Sequence, residues 1–194
     1  LNPQKTQFEN LTWEQRKLKN LASFKSGKGL SLKDISDNGK FECISYGSLY
    51  TEYGMIIETI NKFTNNVPKN AVFSKKDDVL IPASDTTPTG LARASCIEKE
   101  GVLLGSDINV ITPKENVKGS FLSLSLNHNK SQLIRLIKGT TVKHIHNSDL
   151  SEVIVNFPLE IKEQKNIINI FKFLQKIITL HQRKLESLKK VKKS

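Results

Sequence analysis

"PLEIKEQKNIINIFKFLQKIITLHQRKLESLKK" occupies residues 158–190, and its spacing decides how the chain is organised. From Ile167, the residues Phe171, Leu174, Ile178, His181, Leu185 and Leu188 follow at alternating steps of four and three. That is an a/d seam held for three heptads, the pattern of a helix that pairs with another helix. A second line, Ile170, Phe173, Ile177 and Leu180, makes the first half apolar nearly all round, so the globular domain is expected to cover it too. The second half is Lys-rich outside the seam. Roughly 30 residues at ~1.5 Å each form a rod of about 45 Å. A helix lying flat on its own domain is the alternative, and it does not account for Leu185 and Leu188. His181 is the polar residue of the seam, expected to meet its symmetry mate or a neighbouring polar group and set register.

The charge follows the same division. The 194 residues carry a net charge of +11, of which residues 159–194 contribute +7 and residues 1–158 contribute +4. A basic excess favours a polyanionic partner, although a charge run on a helix is equally a solvated face. Hydrophobic residues make up 37% of the chain, with nine Phe, enough for a real core and against wholesale disorder. Cys43 and Cys96 stand far apart with no C-x-x-C and no His at ligand spacing, which argues against a disulfide framework or a zinc site. A reducing cytoplasm is the expected location. No uncharged apolar run approaches the ~18 residues of a membrane span, and no signal-peptide pattern opens the chain.

Before the rod the texture changes three times. Residues 1–10 are polar and expected to be loose. "LTWEQRKLKNLASF" (11–24) spaces Leu11, Leu18, Leu21 and Phe24 for a short helix entered at Trp13. From 41 to 111, short apolar runs separated by Gly, Pro and Asn breaks predict a compact, mostly antiparallel β region. "GSFLSLSLNHNKSQLIRLI" (119–137) predicts two short helices broken around residues 127–130. "GTTVKHI" turns into a strand, Asn147 or Ser148 caps a helix, and the strand "VIVNF" ends at Pro158. The expected fold class is α+β. A globular β-rich domain, residues 1–158, precedes a long C-terminal helix, residues 159–194, that forms a coiled coil.

Catalytic patterns are missing. "FKSGKGLS" (24–31) fails the phosphate-loop rule, which needs Gly at Ala22 and Ser or Thr at Gly29. No G-x-S-x-G elbow is present. "KHIHN" sets His144 and His146 on one side of a strand with no Cys or carboxylate cluster to complete a metal site. Asp77 and Asp78, with Glu98 and Lys99, are charged turn residues or, less simply, a small nuclease centre. No Asn/Asp-Pro-Pro-aromatic motif for base methylation occurs. The chain reads as non-catalytic, with no cofactor and no metal.

The stretch 158–190 resembles the helical region of specificity subunits of type I restriction–modification systems. The marks are Pro158, the pair Glu163-Gln164, Ile167 and the tail "LHQRKLESLKK" (180–190). "GTTVKHIHNSDLSEVIVNFPL" (139–159) is similar to the segment that closes a target recognition domain in that family, and "WEQRKLKNL" (13–21) to the one that opens it. "YGSLY" (46–50) and "DVLIPASDTTPTG" (78–90) stand where such domains carry a Tyr-Gly strand and a Gly/Thr-rich loop. The resemblance covers residues 11–194. Family members usually contain two recognition domains and two helical regions, and this chain has one of each. It starts at Leu1 rather than Met and stops in mid-helix at Ser194, compatible with a half-length subunit or with a piece of a longer one.

The resemblance implies a target recognition domain followed by a helical spacer that dimerises. The implied partners are double-stranded DNA, the methyltransferase subunit, indirectly the restriction/motor subunit, and a second copy or second half-subunit through the terminal helix, with no membrane. Lys25 and Lys28 in the Gly-rich turn, Tyr46, Ser48 and Tyr50, then Ser84, Thr86, Thr87 and Arg93, and finally Lys143 with His144 are the implied DNA-contacting residues. Packing is the alternative for Tyr46 and Tyr50, and a plain turn for Thr86 and Thr87. Two other functions stay open: a truncated half-subunit that modulates or inhibits an intact system, and a small self-contained nuclease using Asp77 and Asp78.

Overall fold

Ile161 opens a helix that runs without a break to Val191, and a β-rich domain is built against its first turns. The computed structural model describes residues 12–191. Residues 1–10, expected to be loose, and Leu11, expected in the first helix, lie outside the described residues, as do residues 192–194.

In chain order the domain has β1 (Trp13–Lys17), the single turn α1 (Leu18–Leu21), β2 (Ala22–Ser26), β3 (Phe41–Ile44), α2 (Ser48–Thr51), β4 (Ile56–Ile57), β5 (Phe63–Thr64) and β6 (Val72–Phe73). It continues with β7 (Val79–Pro82), β8 (Ser84–Asp85), the turn α3 (Pro88–Leu91), β9 (Ser95–Ile97), β10 (Leu103–Leu104) and β11 (Ile108–Pro113). Then come α4 (Gly119–His128), α5 (Lys130–Arg135), β12 (Lys143–His144), α6 (Asn147–Leu150), β13 (Ile154–Pro158) and the rod α7 (Ile161–Val191).

The central sheet has the order β2-β11-β7-β9-β4, and a second sheet the order β5-β3-β10-β6. Pairing is mostly antiparallel as expected, but β3–β10 and β4–β9 are parallel. The run "VLI" in β7 is fully buried on both faces, the mark of a central strand. Its alternate side chains enter two cores. Val79 and Ile81 pack with Leu18, Leu21, Phe121, Phe157 and Ile168, while Leu80 packs with Ile44, Leu49, Ile97, Leu104 and Val110. Both cysteines are free and buried.

Three expectations are corrected. The helix expected over residues 11–24 is a strand, a turn and a strand. Its residues find ladders elsewhere: β1 pairs with β13 from Trp13–Pro158 to Lys17–Ile154, and β2 pairs with β11. Leu18 and Leu21 then reach the core from one helical turn, so their spacing survives without a helix. The cap of α6 is His146 rather than Asn147 or Ser148. The Asn147 amide instead donates to the Lys25 carbonyl at 3.0 Å and to Ser26 Oγ at 3.1 Å.

The third correction concerns the rod. The domain covers one line of its first half, Gln164, Ile168 and the half-buried Lys172, rather than both apolar lines. Ile170 and Phe173 stay exposed, Phe173 by 63%. A helix laid on one surface can bury only one narrow stripe, and residues four apart define it.

Candidate nucleic-acid interface

β11 organises the site. At its start Ser26 lies opposite Asn109, and Pro82 opposite Ile108. Just beyond, Ala83 N–H donates to the Asp107 carbonyl and Ile145 N–H to the Ala83 carbonyl. β8 pairs with β12, Asp85 facing Lys143 and Ser84 facing His144. The turn after β2, the loop after β7 and the strand β12 therefore meet at one end of the central sheet. The Gly-rich turn belongs to this junction. A Cβ on Gly27 would overlap the Gly105 carbonyl, and Gly29 has φ +75°. These glycines permit a close backbone crossing and a left-handed turn.

Lys28 is exposed on that turn. Lys25 points inward, with Nζ 3.2 Å from the Phe73 carbonyl and 3.5 Å from the Asp78 carboxylate. Tyr46 and Tyr50 are half-buried with ring centroids 6.4 Å apart, and Arg93 Nη1 donates to the Tyr50 carbonyl at 2.9 Å. Partial burial raises the Tyr50 phenol above its ordinary value, and the charge of Asp85 adds to the effect. Thr86 and Thr87 are exposed; Thr87 Oγ1 donates to Asp85 at 2.9 Å and accepts from Gly90 N–H, capping α3. Lys143 Nζ donates to the Thr140 carbonyl at 3.2 Å. The His144 and His146 rings stack with 7° between planes. Ser48 and Ser84 are buried, and Ser48 Oγ donates to the Ser45 carbonyl at 2.8 Å. Asn147, which ties α6 to β2 across 121 positions at Ser26, and His146, stacked on His144, stand at the same junction and were not among the contacts expected from sequence.

The rod is anchored at the other end of β11, about 20 Å off for six residues at ~3.3 Å each. Gln164 is fully buried. Its Oε1 accepts from Lys118 N–H at 2.8 Å, and its Nε2 donates to the Asn116 carbonyl at 3.0 Å and the Pro158 carbonyl at 2.9 Å. Lys172 Nζ bonds Glu98 at 2.7 Å and Glu58 at 3.0 Å. A groove of about 770 Å³ beside the rod is lined by Trp13, Phe121, Leu124, Ile167 and Phe171 among others, so the seam starts inside it. Farther out the seam is open: Ile178 is 57%, Leu185 54% and Leu188 59% exposed. His181 Nδ1 lies 3.0 Å from the carbonyl of Ile177 in its own helix.

The two aspartates that suggested a nuclease are separated in role. Asp78 is buried and accepts from Lys75 N–H at 2.9 Å and Thr112 Oγ1 at 2.6 Å. Asp77 sits at φ +76° and faces Lys118 at 3.7 Å. Among the described residues no group of three or more His, Cys, Asp or Glu is placed to hold a metal ion. None of the described helices is long and apolar enough to cross a membrane.

A model of the type I restriction modification DNA specificity domain matches residues 10–190. No curated protein sequence matches the chain. Its fold is similar to that of the S subunit of a type I restriction-modification system from M. genitalium, with a TM-score of 0.63 at 18% identity. That match covers 91% of this chain and 42% of the other. A structure described for the complex assembly and conformational transition of the type I R-M system gives a TM-score of 0.64 at 15% identity, covering 88% and 40%. The HsdS subunit from Thermoanaerobacter tengcongensis gives 0.60 at 16% identity, covering 93% and 42%. The chain thus spans about two-fifths of the length of the structures it matches.

Proposed function

The chain belongs to the type I restriction modification DNA specificity domain family, and on that premise we propose that it is the DNA-reading, non-catalytic component of such a system in the cytoplasm. It reads one half of a bipartite double-stranded site with the domain up to residue 158. It docks the methyltransferase subunit, and through it the restriction/motor subunit. Along the helical region from residue 159 it pairs with a second copy or a second half-subunit.

The observation that carries this reading is the family match over residues 10–190, which takes in both the domain and the rod. The geometry supports it. The turn after β2, the loop carrying β8 and the strand β12 gather at one end of β11 and the rod leaves from the other, while Arg93, tied to the Leu49 and Tyr50 carbonyls, lines the groove beside the rod. Lys28 and Lys143 are suited to phosphates, which position the protein. Tyr46, Tyr50, Thr86, Thr87 and His144 supply donors, acceptors and apolar edges for bases, and Arg93 holds the turn that carries Tyr50. Lys25, held by Asp78, supports the turn that carries Lys28.

Two antiparallel rods of about 45 Å hold two readers roughly 13 base pairs apart at ~3.4 Å per pair. Identical readers on a two-fold axis face opposite ways along the duplex and read inverted repeats. The site is then an interrupted palindrome with an uncontacted gap of about 6–8 pairs. Methylation mapping in cells that carry this chain and its methyltransferase subunit tests the reading. A modified interrupted palindrome supports it; an asymmetric motif would assign the chain to a pair with a different half. Absence of any modification, or loss of an intact system's modification, would replace it with the inhibitory half-subunit.

A further inference from the structure

We propose that Gln164 and Lys172 are positioning residues that fix the angle at which the rod leaves the domain, and thereby the gap between the two DNA half-sites. The inference rests on the two-reader assembly proposed above. Gln164 makes three bonds to two separate pieces of the domain: the β11–α4 connection, through the carbonyl of Asn116 and the N–H of Lys118, and the end of β13, through the carbonyl of Pro158. A buried amide must keep such partners, and all three are met in one placement of the first turn of α7. Lys172 lies two turns farther, about 12 Å along the axis, and reaches Glu58 just after β4 and Glu98 just after β9. Ile168 is buried on the same line between them.

A helix held at one point pivots, whereas two points about 12 Å apart define its direction. The seam residues described beyond Lys172 are about half exposed, so the direction is set over the first turns of the rod. There the Trp13–Glu163 bond lies beside Gln164, and the Gln175 side chain lies beside Gly54, one turn past Lys172. Leverage makes the angle matter. A tilt of about 10° over ~45 Å displaces the far end by about 8 Å, more than two base-pair steps of ~3.4 Å. Half-exposed ion pairs contribute little to stability, so Lys172 can be altered without endangering the fold.

The experiment uses the full-length chain and duplexes carrying the mapped half-sites with gaps from two pairs shorter to two pairs longer than optimal. Affinity is read by fluorescence anisotropy, alongside mass by light scattering and the thermal midpoint. The unaltered chain is expected to lose about tenfold in affinity one pair off the optimum. Lys172→Ala should keep its mass, its midpoint and its affinity at the optimal gap, while the one-pair penalty shrinks to about threefold. Gln164→Leu should relax the profile further, and Lys172→Glu combined with Glu58→Lys and Glu98→Lys should restore it. A Lys172→Ala profile as sharp as that of the unaltered chain overturns the inference while leaving the assembly intact. An unaltered chain that binds as a monomer, or equally at every gap, overturns the assembly reading and this inference with it.

Discussion

The indole Nε1 of Trp13 donates to Glu163 Oε1 at 2.9 Å, joining the strand that opens the domain to the first turn of the rod across 150 positions. The same indole meets Phe121 edge-on, with centroids 6.0 Å apart. Trp13 is the single tryptophan, so its fluorescence reports this junction alone. Glu163→Ala removes the acceptor and should cost about 1 kcal/mol, lowering the thermal midpoint by about 2–4 °C. Emission should shift to the red in the folded state. An unchanged spectrum and midpoint would show that the bond holds nothing in place.

The open seam leads to a second expectation. Leu185 is far from the domain, so Leu185→Glu should leave the domain's unfolding unchanged while placing a carboxylate at the helix pairing surface. Light scattering at tens of micromolar should give the mass of two chains before the substitution and of one after it. A mass of one chain for the unaltered protein counts against self-pairing.

The two lysines of the Gly-rich turn should behave differently. Lys28 is free to meet a phosphate, and Lys28→Ala should reduce the salt dependence of DNA binding by about one unit of slope with little change in stability. Lys25→Ala removes the cation facing the buried Asp78 and should destabilise the domain by about 1–3 kcal/mol with a smaller effect on slope. Equal slopes for Lys28→Ala and the unaltered chain would move the DNA face elsewhere.

Acid should loosen the β1–β13 junction. Glu152 accepts from Lys17 and Lys19 at 2.7 and 2.6 Å, and these bonds hold its carboxyl down to about 2. A carboxyl held lower in the folded than in the unfolded state stabilises above its ordinary value near 4.5 and loses that contribution as pH falls towards 2. Glu152→Gln should therefore match the unaltered chain at pH 2 and be the less stable of the two at pH 5. Urea unfolding at both values checks this; a difference that grows as pH falls would reverse the sign.

The rod was legible in the residues alone because a heptad seam is a local property: steps of four and three from Ile167 to Leu188 mean one stripe on a helix whatever surrounds it. The break between α4 and α5 and the strands between Gly and Pro breaks were legible for the same reason. The strand identity of residues 13–17 was not, because Leu18 and Leu21 suit a helix or a turn, and the ladder that decided lies with residues 154–158. Nor did spacing say which stripe of the rod meets the domain. Ile168 and Gln164 fill it because Asn116, Lys118 and Pro158 present their backbone groups there, and those three come together only when the sheet has folded. Ser48 and Ser84 are the same case at the candidate face. A hydroxyl in a polar loop looks available in sequence, and these two residues are buried in the fold, Ser48 in α2 and Ser84 in β8 where it pairs with β12.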